Sequence, residues 1–218
     1  MCIHGTRPLR PFLFPHTSKM GPNRCMPCEI AEPGPDLQEA GRDPRGLTVW
    51  LTGLSSAGKS TIARALRHRL AKQGLRIEWL DGDDVRQTLS CGLGFSRKDR
   101  NENVMRMVFV AEILTRNGIV TIVSAASPAR ESRERARRII GRFLEVFVDA
   151  PLPVCEQRDG HGIYARARRG EISHVAGLDI PYEPPFRPDV HCKTALEPLE
   201  VCVERVVQAI GKYGEGDS

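Results

Sequence analysis

Apolar and polar positions follow two spacings along most of the chain, one typical of buried strands and one of amphipathic helices. Short runs of β-branched and apolar residues predict strands over 48–52, 76–80, 119–123 and 143–148. Helical spacing predicts helices over 62–73, 99–117 and 199–210, while a Ser-Pro pair and a proline in a first turn predict two more, over 127–140 and 151–158. Strands that alternate with helices predict an α/β fold, with a parallel sheet flanked by helices on both faces.

Two stretches carry neither spacing. Residues 1–45 are rich in proline, glycine and charge, which predicts a largely disordered extension. Residues 159–188 combine glycine, arginine and proline, and a segment of this length within a domain usually moves or binds something. We therefore expect a mobile lid whose closure excludes water and brings arginines towards a ligand. The candidate arginines are Arg158, Arg166, Arg168 and Arg169.

Composition restricts the class of partner. The chain has 218 residues, 40% of them hydrophobic, which suits one α/β domain. Its net charge of +5 comes mostly from arginine, which favours forked contacts to phosphate or sulfate. The densest basic run, RERARR at 133–138, is broken by glutamate and alanine, and we expect it to be the solvated face of a helix. No basic stripe alternates with aromatic residues and no apolar stretch has membrane length, so we expect neither nucleic acid nor a membrane as a partner.

Seven cysteines are scattered along the chain. An odd number without a signal peptide predicts reduced thiols in a cytoplasm. Cys25 and Cys28 have the C-x-x-C spacing, but no second pair stands at the distance that a zinc ribbon or finger requires. A metal or redox role for that pair is therefore only weakly indicated.

Candidate chemistry begins where the first strand ends. The sequence GLSSAGKST at 53–61 fits G-x-x-x-x-G-K-[ST], the pattern of a loop that binds phosphate groups, and the alternative is an ordinary glycine turn. Glycines let backbone N–H groups curl around an anion, the lysine meets the β and γ phosphates, and the serine hydroxyl can bind Mg²⁺. The residues expected to hold a nucleotide here are Gly53, Leu54, Ser55, Ser56, Ala57, Gly58, Lys59, Ser60 and Thr61.

Acidic residues follow the second strand, at Asp81, Asp83 and Asp84. Carboxylates at the carboxyl end of a strand beside a phosphate loop can bind Mg²⁺ or act on a reacting hydroxyl. An equally open interpretation is a solvated turn in which Asp83 caps the next helix. The third strand ends at Ser124, where the usual phosphate-loop enzyme has a metal-directed aspartate, and this favours a metal role for Asp81 and Asp83.

Six motifs in a fixed order give the chain a specific resemblance to the adenylylsulfate kinases. They are GLSSAGKST at 53–61, LDGDDVR at 80–86, LGFSRKDRNEN at 93–103, SPAR at 127–130, EVFVDAPLPVCEQRD at 145–159 and GLDIPYEPP at 177–185. The match spans 46–212 and leaves the extension before it and a tail at 213–218. It implies a P-loop kinase fold and an enzyme that uses ATP and Mg²⁺ to phosphorylate the 3′-hydroxyl of adenosine 5′-phosphosulfate (APS), yielding 3′-phosphoadenylyl sulfate (PAPS) and ADP.

The resemblance assigns catalytic roles to single residues. Lys59 lies at the transferred phosphate, and Ser60 and Asp81 are the implied metal ligands. Asp83 lies at the acceptor hydroxyl and is preferred as its proton acceptor. Ser127 matches a serine to which a phosphoserine intermediate is assigned in some members, and direct transfer is the alternative.

The resemblance also implies how both substrates are gripped. Arg158 contacts the adenine of ATP at the hinge of the lid. Guanidinium groups fork onto sulfate and phosphate oxygens, an aromatic ring stacks on adenine, and an amide bonds a polar edge. The positions that match the acceptor site are Asp83, Arg86, Phe95, Arg100, Asn103 and Ser127.

Several positions depart from the usual family pattern. Asp84 stands in place of an asparagine and adds a charge near the metal. Val175 stands in place of the aromatic that closes the far side of the acceptor adenine, so Phe95 stacks alone and binding is weaker by about 1 kcal/mol. His161 replaces a lid lysine, and the segment AASPAR at 125–130, which includes Ala126, lacks the two aromatics of the usual FISPYR.

Because these departures lie on the acceptor side, two other functions stay open. One is a P-loop kinase for another small acceptor, and the other is a nucleotide-binding regulatory subunit of sulfate activation. The retained acceptor-site residues argue against the regulatory subunit, since a nucleotide sensor needs no acceptor site. The resemblance further implies sulfate assimilation in the cytoplasm, a homodimer and a functional link to ATP sulfurylase.

Overall fold

Five strands and seven helices alternate along residues 46–215, the part of the chain that the computed structural model describes. The strands are β1 (Leu47–Thr52), β2 (Ile77–Asp81), β3 (Val120–Ser124), β4 (Phe143–Asp149) and β5 (Val190–Lys193). The helices are α1 (Lys59–Ala71), α2 (Gly82–Gln87), α3 (Arg97–Arg116), α4 (Arg130–Ile140), α5 (Leu152–Gln157), α6 (Ile163–Arg168) and α7 (Leu199–Glu215). The predicted extension over 1–45, with Cys25 and Cys28, lies outside the described residues.

All five strands are parallel and lie in the order β2-β3-β1-β4-β5. The central strand β1 is buried along its whole length, which explains its unbroken run of apolar and β-branched residues. Parallel neighbours require crossover connections, and helices supply them. The predicted α/β fold with a parallel sheet is confirmed.

Successive strand residues face opposite sides of the sheet and pack against different helices. Val49 and Leu51 of β1 lie in one core cluster with Ile62 of α1. Trp50, between them, lies in a second cluster with Val108 of α3. Helices therefore cover both faces of the sheet, as predicted.

The helix predicted over 127–140 begins later than expected. α4 starts at Arg130, and Ser127 has a positive φ of 43°, which helical backbone does not allow. The carbonyl oxygen of Ser127 accepts a hydrogen bond from Arg133 (2.5 Å), and its hydroxyl accepts one from Trp50 (3.1 Å). The predicted first turn is instead a bend that holds Ser127 at the carboxyl edge of the sheet.

The basic run at 133–138 is not solvated throughout. Arg133 is 1% exposed, and its Nε lies 2.8 Å from Oε1 of Glu145 on β4. Glu134, Arg135 and Arg138 are exposed. The prediction of a solvated face is therefore wrong for Arg133, because its partner on a neighbouring strand cannot be seen in the charge pattern of one helix.

Two short elements, α6 and β5, were not predicted, and α2 corresponds to the helix that was left open after the acidic turn. α6 lies inside the predicted lid and begins where the Asp159 carboxylate accepts hydrogen bonds from the N–H groups of Ile163, Tyr164 and Ala165, at 2.8 to 3.1 Å. β5 has only four residues, and two of them carry polar side chains, so it offers no apolar run. The predicted lid is therefore partly helical.

Parallel strands bring all their carboxyl ends to one edge of the sheet, and the loops after β1, β2 and β3 meet there. This edge carries the predicted phosphate loop, the acidic turn and Ser127. Of the helices within residues 46–215, none combines the length and the apolar character that crossing a bilayer requires.

The backbone at Gly46, just before β1, passes very close to the last turn of α3. A Cβ built on Gly46 lies 1.7 Å from the carbonyl oxygen of Thr115, so Gly46→Ala requires a backbone shift. We expect this variant to lose about 2 kcal/mol of unfolding free energy, on the scale of overpacked cores. Gly211→Ala in α7 is the control, since its Cβ meets no atom within 4 Å and helix propensity favours alanine by about 1 kcal/mol. Urea unfolding measures both, and equal stability of the two variants would contradict this prediction.

Candidate active site

A cavity of about 950 Å³ opens at the carboxyl edge of the sheet, between the three loops and the predicted lid. Most of the predicted site residues line it. They are Ser55, Ser56, Gly58, Lys59, Ser60, Thr61, Asp81, Asp83, Arg86, Phe95, Arg100, Asn103, Ser127 and Arg158. Gly53, Leu54 and Ala57 are not part of the wall, and Ala57 is fully buried behind it.

The phosphate loop turns sharply out of β1 into α1. Gly53 has a φ of 151°, and a Cβ built on it would lie 2.2 Å from the carbonyl oxygen of Val148, so only glycine fits. α1 begins at Lys59, which lines the cavity. The positive end of the helix and the loop therefore adjoin the same space, as anion binding requires.

Lys59 is half-buried in this loop. Its Nζ donates hydrogen bonds to the carbonyl oxygens of Gly53 (3.1 Å) and Leu54 (2.6 Å). Burial lowers the pKa of Lys59 to about 8, and the nearby Asp83 carboxylate opposes that shift in part. An ammonium group with little access to water is stabilised by an incoming anion, so the lysine has the environment of a phosphate ligand.

Asp81 joins the phosphate loop to the acidic turn. Its Oδ2 accepts hydrogen bonds from the hydroxyls of Ser60 (2.9 Å) and Ser124 (2.7 Å), and its Oδ1 accepts one from the N–H of Asp83 (3.0 Å). The last bond caps α2, so the helix cap is Asp81 and not Asp83. Asp83 lies in the first turn with an exposed side chain that lines the cavity.

The oxygen atoms of Ser60 and Asp81 fit a magnesium ion. Mg²⁺ prefers oxygen ligands, keeps several waters and takes only one or two groups from the protein besides substrate phosphates. Within residues 46–215, no group of three His, Cys, Asp or Glu side chains is placed to hold a metal. A hydroxyl and a carboxylate oxygen 2.9 Å apart beside a phosphate loop therefore suit Mg²⁺ better than a metal that needs an all-protein cage.

Two guanidinium groups lie close to the ring of Phe95 in another part of the cavity wall. The guanidinium carbons of Arg86 and Arg100 are 4.4 Å and 5.4 Å from its ring centroid. Arg86 donates to the carbonyl oxygen of Gly94, and Arg100 to those of Phe95 and of His174 in the lid. Burial lowers the pKa of Arg100, and repulsion by Arg86 adds to that shift. Two cations beside an exposed ring fit a ligand that is both anionic and aromatic.

Asn103 and Ser127 complete this wall. Asn103 is 5% exposed, and its buried Oδ1 has no hydrogen-bond partner among the described residues. Because an unpaired buried oxygen costs free energy, a ligand donor at this position would be stabilising. The Ser127 hydroxyl accepts from the indole N–H of Trp50 (3.1 Å) and donates to the carbonyl oxygen of Ala125 (3.4 Å).

The lid segment contacts the phosphate loop directly. Tyr164 of α6 is 1% exposed, and its hydroxyl donates to the carbonyl oxygen of Ser55 at 3.0 Å. Thr194, which follows β5, donates from Oγ1 to the carbonyl oxygen of Ala57 at 2.7 Å. Arg158 donates to both oxygens of Thr194, at 3.2 and 2.9 Å. These bonds connect the hinge of the lid to the back of the loop.

The four candidate lid arginines divide into two groups. Arg158 and Arg166 line the cavity. Arg168 is instead paired with Glu156 (2.7 Å) and Arg169 with Glu171 (2.5 Å), and neither is part of the cavity wall. Arg166 also lies 3.6 Å from Glu171, so of the four candidates only Arg158 has no ion pair with an acidic side chain among the described residues.

The departures from the family pattern also have defined places. Val175 is 5% exposed and lines the cavity, as do His161 and Ala126. Asp84 is exposed and is not part of the cavity wall.

Two contributors to the site were not predicted. Thr194 organises the loop and Arg158, but no motif surrounds it in the sequence. Trp79 donates from its indole N–H to the Ser124 hydroxyl at 2.8 Å, and Ser124 in turn donates to Asp81. The only sequence signal for this contact was the absence of an aspartate at Ser124.

The family model for adenylylsulphate kinase matches residues 45–193, well over half of the chain. The chain belongs to the adenylylsulfate kinase family. An adenylyl-sulfate kinase from Microcystis aeruginosa is 57% identical over 170 residues, which cover 78% of this chain and 94% of that protein.

Solved adenylylsulfate kinases share the fold. The APS kinase CysC of Mycobacterium tuberculosis, solved in complex with AMPPNP and APS, is similar with a TM-score of 0.75 and 41% identity, over 78% of this chain and 99% of that one. A hexameric APS kinase from Thiobacillus denitrificans is similar with a TM-score of 0.58 and 32% identity, over 78% of this chain and 30% of that one. The predicted P-loop kinase fold is thereby confirmed.

The pKa of Lys59 predicts how nucleotide affinity depends on pH. The free amine predominates above about pH 8, whereas a bound polyphosphate stabilises the ammonium form, so binding takes up a proton there. We expect the affinity for AMPPNP to be constant near neutral pH and to fall by up to about tenfold per pH unit above pH 8. Isothermal titration at several pH values measures this. Lys59→Arg is the control, because a guanidinium stays charged, and its residual affinity should show no such fall. An affinity of the unmodified protein that is constant to about pH 9.5 would contradict the prediction.

Proposed function

We propose that the protein transfers the γ-phosphate of ATP to the 3′-hydroxyl of APS, giving PAPS and ADP. The observation that carries this proposal is a single cavity lined both by the phosphate loop and by Phe95 with Arg86 and Arg100 close to its ring. The first part suits a nucleoside triphosphate, and the second suits an anionic adenine nucleotide. The Mycobacterium tuberculosis relative was solved with an ATP analogue and APS together.

The phosphate loop and Lys59 bind ATP in this proposal. Ser60 and Asp81 hold Mg²⁺, which neutralises charge on the β and γ phosphates when bound. Lys59 exchanges its bonds to the loop carbonyls for phosphate oxygens, and its ammonium charge stabilises the transferring group. We assign Arg158, which Thr194 holds at the cavity wall, to the nucleotide base.

On the acceptor side, Arg86 and Arg100 bind the sulfate and phosphate oxygens and Phe95 stacks on adenine. Asn103 pairs its orphaned oxygen with a donor of the ligand. Asp83, exposed to the cavity in the first turn of α2, accepts the proton of the attacking hydroxyl. The lid then closes over the aligned substrates and excludes water.

Ser127 supports direct transfer over a phosphoserine intermediate. Ser127 is 3% exposed, and its hydroxyl bonds to an indole N–H and a carbonyl oxygen, neither of which can act as a base. A serine needs an adjacent base to become a nucleophile. We therefore assign Ser127 to the acceptor wall.

The wider setting remains part of the proposal. We infer a cytoplasmic enzyme of sulfate assimilation, and the four cysteines of the described residues, all free thiols, are consistent with a reducing compartment. The proposal includes a homodimer and a functional link to ATP sulfurylase, while the Thiobacillus denitrificans relative is described as hexameric.

A coupled assay of ADP release tests the reaction. Purified protein with ATP and Mg²⁺ should release ADP rapidly only when APS is added at low micromolar concentration. No release with APS, while AMPPNP still binds, would overturn the proposed acceptor and favour a kinase for another small molecule or a regulatory subunit.

The proton-acceptor role of Asp83 has its own test. We expect Asp83→Asn to lower kcat by about 100-fold or more with AMPPNP affinity nearly unchanged, because a general base acts on the chemical step. Asp84→Asn is the matched control, since this neighbour is exposed outside the cavity wall, and its kcat should stay close to normal. A loss of nucleotide affinity without a loss of kcat in Asp83→Asn would remove Asp83 from this role.

A substitution at Val175 tests whether the side chain at this position contacts the adenine of APS. Val175→Phe adds a ring to the cavity wall, and we expect the KM for APS to fall by about fivefold, on the scale of one aromatic pair, with the KM for ATP unchanged. Thermal unfolding of the variant checks that the larger side chain is accommodated. An unchanged KM for APS in a folded variant would mean that this side chain does not reach the adenine.

A further inference from the structure

We propose that Trp79 and Ser124 are positioning residues that hold the Asp81 carboxylate in place for a divalent cation. The proposal rests on the proposed function, since it concerns the metal of the nucleotide side. It concerns a chain of three side chains in which the indole N–H of Trp79 lies 2.8 Å from Ser124 Oγ, and Ser124 Oγ lies 2.7 Å from Asp81 Oδ2.

The direction of each hydrogen bond in this chain is fixed by chemistry. An indole nitrogen can only donate, so Ser124 Oγ must accept from Trp79. A hydroxyl has a single proton, and an ionised carboxylate can only accept, so the Ser124 proton is directed at Asp81. Trp79 therefore removes the rotational freedom of the Ser124 hydroxyl and leaves it one role, which is to donate to Asp81.

The sheet explains why these three side chains meet. Asp81 and Ser124 are paired positions of the parallel strands β2 and β3. Trp79 lies two residues before Asp81 on the same strand and therefore on the same face. Ser124 is 3% exposed, so water competes little for its hydroxyl. The strand pairing thus gives the serine a fixed distance to the carboxylate.

This arrangement matters once Ser60 turns towards a metal. Asp81 Oδ2 then loses the Ser60 donor, but Ser124 remains on Oδ2 and the Asp83 N–H remains on Oδ1. Both carboxylate oxygens stay anchored, so the carboxylate plane is held without Ser60. Outer partners of metal ligands commonly act in this way, and their loss weakens metal binding by about 10- to 100-fold.

The test is the magnesium dependence of AMPPNP binding, measured by isothermal titration without any acceptor. We expect Ser124→Ala to raise the Mg²⁺ concentration at half effect by about tenfold, while AMPPNP affinity in EDTA changes by less than about twofold. Trp79→Phe keeps an aromatic ring but loses the donor, and we expect an increase of about threefold. The double variant should match Ser124→Ala alone, because Trp79 acts only through Ser124.

The control removes a comparable buried hydroxyl contact far from the site. Thr48 and Thr115 share a hydroxyl bond of 2.7 Å at the opposite end of β1. Thr115→Val should match Ser124→Ala in lost thermal stability, yet leave the magnesium dependence unchanged. A shift in Thr115→Val as large as in Ser124→Ala would reduce the effect to general destabilisation and overturn the proposal.

The remaining outcomes are equally decisive. An unchanged magnesium dependence in Ser124→Ala overturns the positioning role, and multiplicative effects in the double variant overturn the assignment of Trp79. The positioning role is also overturned if the AMPPNP affinity of the unmodified protein does not depend on the Mg²⁺ concentration. An unmodified protein that binds AMPPNP with the expected magnesium dependence but does not phosphorylate APS overturns only the proposed acceptor.

Discussion

The geometry of the acceptor side depends on one buried guanidinium. Arg133 is 1% exposed and donates to Glu145 on β4 (2.8 Å), to the carbonyl oxygen of Ser127 (2.5 Å) and to that of Glu183 (2.6 Å). Burying a charge is costly unless it is paired and fully hydrogen-bonded, so these contacts are formed together or lost together. They bind α4, the central sheet, the bend at Ser127 and the end of the lid segment into one unit. The positive φ of Ser127 is retained because that unit fixes its carbonyl group.

At the same edge of the sheet, two tryptophan indoles each donate a hydrogen bond to a serine hydroxyl. Trp50 donates to Ser127 and Trp79 to Ser124, and each indole leaves the hydroxyl fewer orientations. The two serines differ in what they then donate to. Ser124 reaches a carboxylate at 2.7 Å, whereas Ser127 reaches only a carbonyl oxygen at 3.4 Å. This difference separates a residue that orients a charged group from one that shapes a wall.

The features that the sequence predicted correctly are those that depend on residues close together along the chain. Four strands and the phosphate loop carry their own apolar runs and glycines, and the structure has them where expected. The burial of Arg133, the strand β5 and the role of Thr194 depend on contacts across the fold. β5 is stabilised by pairing with β4 and by contacts such as His191 to Asp149 at 2.9 Å, 42 residues apart. No local pattern encodes such a partner, which is why these features were missed although the motifs around them were identified.

The lid has a related constraint. Tyr164 is buried, its hydroxyl is bonded to the phosphate loop, and the carboxylate of Asp159 holds the first turn of α6. A lid that moves as the sequence predicts must therefore either break the bond from Tyr164 to Ser55 or move only in the residues after α6. The second route leaves the bond to the loop carbonyl of Ser55 intact. It also includes His174, whose carbonyl oxygen accepts from Arg100, so an anionic acceptor that engages this arginine competes for the hydrogen bond that holds this part of the lid.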